Sequence, residues 1–206
     1  MELKPVLLIL AVFILPWAIL FFVKVNVRKN LISNFKKLNE KYGLEFDISK
    51  RSGSTALPSA RGIYRSRNVK IESLDHDAFK NRKVPPHTIL SVECTNESNF
   101  EFTIVKNNRL NSRTFGKDSV SVEDNEFDEK YIIRTNDPVK IRNIFDFNTR
   151  FKLDQVHKLG FEGVIDLRGN FLFYSEKGLL KSDESLMRFE LVLHELCDIA
   201  DVMKFS

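Results

Sequence analysis

Cysteine, glycine and proline are scarce in this chain, at 2, 8 and 6 residues of 206. So few glycines and prolines argue against flexible low-complexity linkers. The two cysteines, Cys94 and Cys197, are far apart and form no C-x-x-C pair, so nothing suggests a disulfide framework. Each is compatible with a reducing compartment, as a small apolar residue. The nucleotide signatures G-x-x-x-x-G-K-[ST] and G-x-G-x-x-G are absent, as is the nucleophile elbow G-x-S-x-G. The net charge of +4 is small and interspersed, and the basic segment 106–117 holds one aromatic, Phe115. Nucleic acid is therefore not an expected partner. No cofactor is implied.

What is present is a globular composition, 43% hydrophobic and 29% charged, with 18 phenylalanines. A chain of this length and balance supports one ordinary domain with a substantial core.

The most informative stretch is also defined by a lack. Pro5 to Val23 carries no charge over 19 residues. As a helix it measures roughly 28 Å, close to the hydrocarbon thickness of a bilayer. Pro16 is tolerated there as a kink. A cleaved signal peptide is the competing reading. The run is longer than a usual signal core, however, and Lys24 ends it without a small-residue cleavage site. A transmembrane anchor over 1–24 is expected. Beyond it stand Lys24, Arg28, Lys29, Lys36 and Lys37, with no acid before Glu40. Positive charge on the long side places the following domain in the cytoplasm. A periplasmic or other extracytoplasmic domain is the alternative.

Val27, Leu31, Phe35, Leu38 and Tyr42 form one apolar stripe in a basic helix over 25–43, closed by Gly43. The stripe suits packing on the chain's own domain, a short coiled coil, or an interfacial helix whose five basic residues meet anionic headgroups.

From 44 to 206 a single soluble domain is expected. Residues 47–60 read as a polar connector and "RGIYRSRNVKIESL" as a strand. "HTILSVECT" and "NFEFTIVKN" read as two more, "NNRLNSRTFGKDS" as a loop and "FDEKYIIRTND" as a strand. Helices follow from Pro138 and through "TRFKLDQVHKLG". A hairpin around "RGN" comes next, then a final helix capped by Ser182. Runs of strands separated by runs of helices indicate an α+β fold with an antiparallel sheet.

"ARGIYRSRNVKIES", "FDEKYIIRTND", "TRFKLDQV" and the closing amphipathic helix resemble a bacterial family of single-span membrane-anchored proteins. Its soluble domain, here about residues 60–203, is of unknown function. That resemblance implies an N-terminal span, a strand pair of the G-x-x-x-x-R-x-V kind and an F-D-x-x-[FY] strand. It transfers no functional role to Phe127 or Asp128.

The final helix contains "VLHELCDIAD". His194, Glu195 and Asp198 imitate a zinc-hydrolase H-E-x-x-H with the second histidine replaced. No third ligand motif follows, so a tethered hydrolase using His194 with Glu195 or Asp198 is the alternative reading. Asp75-His76-Asp77 reads as a solvated turn, and the acidic run 123–129 as a solvated edge lacking calcium-loop order.

Leu186, Phe189, Leu193, Leu196, Ala200 and Met203 mark the core stripe of that helix. His194 and Asp198 lie roughly 130° and 170° away, beside Met187, Leu191 and Val202, by 100° per residue. These five form a candidate interface. The function expected is thus a membrane-anchored interaction module. Its partners are the bilayer and either lipid headgroups, another protein or a second copy.

Overall fold

The computed structural model describes residues 3–49, 57–74, 85–96 and 98–204, with side chains from residue 16 onward except those of 24 and 49. Asp75, His76 and Asp77 lie outside the described residues.

The described residues open with one continuous helix, α1, Leu3–Tyr42. Its second half is core. Leu31, Phe35, Leu38 and Tyr42 are buried within the same apolar cluster as the sheet. Asn34 donates to the carbonyls of Leu180 and Ser182 at 2.9 and 3.3 Å. Gly43, at φ 66°, reverses the chain in the left-handed conformation that favours glycine. Among the described residues no helix is long and apolar enough to cross a membrane. Most of the Pro5 to Val23 side chains lie outside that description.

Among the described residues eight strands follow: β1 Glu45–Ser49, β2 Leu57–Tyr64, β3 Arg67–Leu74, β4 His87–Glu93, β5 Phe102–Lys106, β6 Tyr131–Thr135, β7 Val164–Arg168 and β8 Phe171–Lys177. They form one antiparallel sheet in the order β1-β2-β3-β4-β8-β7-β5-β6. The β7–β8 hairpin thus inserts between two earlier groups. The fold is α+β.

Among the described residues five shorter α-helices accompany it: α2 Arg109–Phe115, α3 Asn125–Lys130, α4 Pro138–Ile144, α5 Phe147–Lys158 and α6 Asp183–Met203. Each begins on a side-chain cap, from Asn108, Asp124, Asp137, Asp146 and Ser182 respectively.

Four local expectations change. The basic loop is α2 plus a 3-10 turn, Gly116–Asp118, which bonds Arg134 of β6 through Asp118 at 3.0 Å. "FDEKYIIRTND" is the end of α3 before it becomes β6. The connector 47–60 contains the end of β1 and the start of β2. "RGIYRSRNVKIESL" is two strands, not one, because Arg65 and Ser66 turn at φ 49° and 61°.

α6 is the pivot. Its Leu186, Phe189, Leu193, Leu196, Ala200 and Met203 are all buried, as the stripe predicts. α1 runs parallel along one side, joined by Lys37–Asp183 and Lys41–Glu190 at 2.8 and 2.7 Å. α5 runs along the other, where Arg188 donates to the Leu159 carbonyl. Arg188 also grips Glu176 of β8 through two nitrogens, and Tyr174 donates to the same carboxylate. Gly163 leaves room for that tyrosine: a Cβ there would lie 2.2 Å from its ring.

Candidate functional site

The C-terminal half of α6 meets three other elements around His194, Glu195 and Asp198. The β2–β3 hairpin folds over it. The two-residue turn Arg65-Ser66 has positive φ at both residues, the geometry that suits a hairpin's twist but usually selects asparagine or glycine. This conformation costs non-glycine residues on the order of 1–3 kcal/mol each. Ion pairs lie at the place where that strain is held. Arg65 reaches Asp198 and Asp201 at 2.6 Å each, and Arg67 reaches Asp201 at 2.6 Å. Arg67 also donates to the Glu93 carbonyl at 3.1 Å. From α5, Lys152 closes on the second oxygen of Asp198. These lysine and arginine bonds hold the Asp198 carboxyl below its usual range against the opposing effect of burial.

His194 lies between two tyrosines. Its Nε2 is 3.3 Å from the Tyr42 hydroxyl and its Nδ1 is 3.1 Å from that of Tyr64. The three rings meet edge-on, with centroids 5.1–5.7 Å apart. Partial burial lowers the imidazole's pKa, and nearby Lys41 and Arg65 add to the effect. The ring is therefore neutral at pH 7, one nitrogen donating and the other accepting. Both nitrogens serve to join the end of α1 to the hairpin.

Glu195 points elsewhere. It is 1% exposed, and neither carboxylate oxygen has a hydrogen-bond partner. Burial pushes its pKa up to about 8, opposed by Lys152 and reinforced by Asp198 and Asp146. The H-E-x-x-D spacing thus gives three divergent side chains: one on the tyrosines, one buried on the α5 side, one in the ion-pair clamp. Among the described residues no group of three His, Cys, Asp or Glu could hold a metal ion.

The five interface candidates separate. Met187 and Leu191 are 54% and 39% exposed. His194 and Asp198 are half-buried in the contacts above, and Val202 packs against the core cluster. Of the basic candidates, Arg28, Lys29, Lys36 and Lys37 are exposed, and the Lys24 side chain lies outside the described residues.

Both cysteines are buried, with thiol pKa values pushed up to about 11. Among the described residues the surface has hollows, two of them next to elements of the sheet and of α5. One, of about 370 Å³, lies over β2 and β3 beside Arg61, Ile63, Lys70 and Phe171. The other, of about 130 Å³, lies between α3 and α5, where Phe147 and Phe151 stack 6.4 Å apart.

No family model matches the chain, nor does any curated protein compared with it. A solved structure does. The crystal structure of the mycobacterial trehalose monomycolate transport factor A, TtfA, is similar over 85% of this chain and 95% of its own. The TM-score is 0.56 and the identity 10%, a likeness of fold alone.

The buried Glu195 is what sequence reasoning missed. The signal was there: Arg188, Val192, Glu195 and Ile199 repeat at spacings of 4, 3 and 4, and all four are buried. α6 therefore has two buried stripes, the second on its α5 side.

Proposed function

We propose that the chain is a bilayer-anchored interaction module. In this reading Pro5 to Val23 crosses the membrane once, and the α+β domain stands in the cytoplasm and acts by binding a protein or lipid partner. One observation carries it. Trp17, Ile19, Leu20, Phe21, Phe22 and Val23 are each 53–75% exposed on a helix that continues without a break into the domain core. So large an uncovered apolar surface is unfavourable in water and calls for a cover, which the bilayer supplies. The charge bias beyond Val23 supports the orientation. The fold neighbour's name as a trehalose monomycolate transport factor is compatible with a lipid-related role.

Helix geometry divides the basic residues. From Lys24 to Lys37 the axis advances roughly 20 Å, more than the depth of one headgroup layer. Lys24, Arg28 and Lys29 stand at headgroup height, whereas Lys36 and Lys37 lie alongside the domain. Lys37 is engaged by Asp183. The partner-facing pair is Met187 and Leu191.

Alkaline carbonate extraction tests the anchor. The native chain stays with the membrane pellet, and Leu20→Arg with Phe21→Arg moves it to the supernatant. Recovery of the native chain in the carbonate supernatant refutes the anchor. A C-terminal reporter fusion reads the orientation. Met187→Asp and Leu191→Asp, with the fold intact, change the cross-linked complexes formed in membranes. Identical complexes in both variants remove the interface.

A further inference from the structure

Glu195 and Asp198 lie about one turn apart on α6, a spacing that sets their Cβ atoms roughly 5–6 Å apart even though the side chains diverge. They share one nearby cation. Lys152 of α5 is bonded to Asp198, and its charge also acts on Glu195. Asp198 is in addition bonded to Arg65 of the hairpin. Glu195, with no hydrogen-bond partner for either oxygen, is the unfulfilled acceptor beside a lysine held by another acid. An ionised carboxylate buried in this state is strongly unfavourable, so the group must keep a proton or acquire a cation.

Among the described residues, other charged groups on the elements packed against α6 act in ways of their own. From α5, Asp146 adds repulsion to Glu195. From α4, Lys140 and Arg142 bond Ser98 and the Ser121 carbonyl. From β8, Glu176 is gripped by Arg188. From α1 and the hairpin, Lys41, Arg65 and Arg67 engage Glu190, Asp198 and Asp201. Lys152 is the cation whose charge favours an ionised Glu195.

We infer that Glu195 is a proton-controlled competitor for Lys152. With Glu195 protonated, Lys152 stays on Asp198 and holds α5, α6 and the β2–β3 hairpin together as one clamp. When Glu195 loses its proton, Lys152 turns inward to it. The α5 side of the clamp is released, and the hairpin is left on its arginines and the Tyr64–His194 contact. Burial of the carboxyl sets this change in the mildly alkaline range.

The test is hydrogen exchange on the full chain at pH 6 and pH 9, corrected for the intrinsic pH dependence of exchange. Glu195→Gln keeps the shape and removes the titration. At pH 6 the hairpin and α5 amides of the two proteins exchange alike. At pH 9 those of the native chain exchange about tenfold faster than in the variant, a change worth roughly 1.4 kcal/mol. Strands β5 and β7 stay equal in both. Lys152→Met abolishes the pH dependence. Equal native-to-variant ratios at both pH values overturn the inference, as does faster exchange spread evenly over the sheet. If Glu195→Gln fails to fold, the carboxyl carbon of Glu195 is titrated by NMR in the native chain. A midpoint near 8 that rises further in Lys152→Met supports the switch, and a midpoint that Lys152→Met leaves unchanged overturns it.

Discussion

A chain beginning at residue 44 tests whether the second half of α1 is tether or core. Leu31, Phe35, Leu38 and Tyr42 are each at most 8% exposed and share the cluster formed by the sheet and α6. Full burial of a large apolar side chain is worth about 1.5–3 kcal/mol, so the four together supply roughly 6–12 kcal/mol. Residual burial in the unfolded chain makes that an upper range. A whole domain is typically stable by only about 5–15 kcal/mol. Losing α1 also removes Asn34 from two carbonyls at the start of α6, and Tyr42 from His194. The chain from 44 should therefore show no cooperative urea transition by circular dichroism, while a chain from 25 keeps one. Leu38→Ala in the longer chain should cost about 2–5 kcal/mol. Lys36→Ala, on the exposed side, should stay within about 0.5 kcal/mol. A chain from 44 that unfolds at the same midpoint as the chain from 25 refutes the reasoning.

Other perturbations address the remaining contacts. Arg188→Met leaves Glu176 buried without its cation and should lower stability by about 3–5 kcal/mol in the same assay, with Glu176→Leu in the double variant recovering part of it. Gly163→Ala drives a methyl into the Tyr174 ring and should cost about 1–3 kcal/mol, so an unchanged melting temperature would contradict the packing described. The folded-state pKa of Asp198 lies below its ordinary 3.8, so its contribution is present above that pH and disappears as pH falls through the lower folded value. Asp198→Asn should flatten that limb of an acid-unfolding curve. His194 is opposite in charge type. Its folded pKa lies below 6.5, so the unfolded chain takes the proton first and stability declines as pH drops through 6.5. His194→Gln should remove that decline, and an identical slope in both proteins would count against the neutral ring between the tyrosines.

Local chemistry made much of the fold legible. The stripe of α6, the Ser182 cap, Pro138 opening α4, Gly43 and Gly160 closing helices, and the β7–β8 hairpin all follow from periodicity and capping within one segment. The failures were local too, where the signal was short. α2 and α3 are too brief to show two turns of apolar repeat, and only their caps, Asn108 and Asp124, marked them. Arg65-Ser66 turns without glycine or asparagine, so β2 and β3 read as one strand.

The α+β class, the uncharged run Pro5 to Val23 with its basic flank, and the core stripe of α6 are all readable from residue order. These depend on neighbours within a few residues. What the rest of α6 does depends on long-range packing. The partners of His194 are 152 and 130 residues away, and the Lys152 that Glu195 and Asp198 share is 43 and 46 away. Helical spacing says which side chains share a face, but what that face meets depends on which distant elements the fold brings against it.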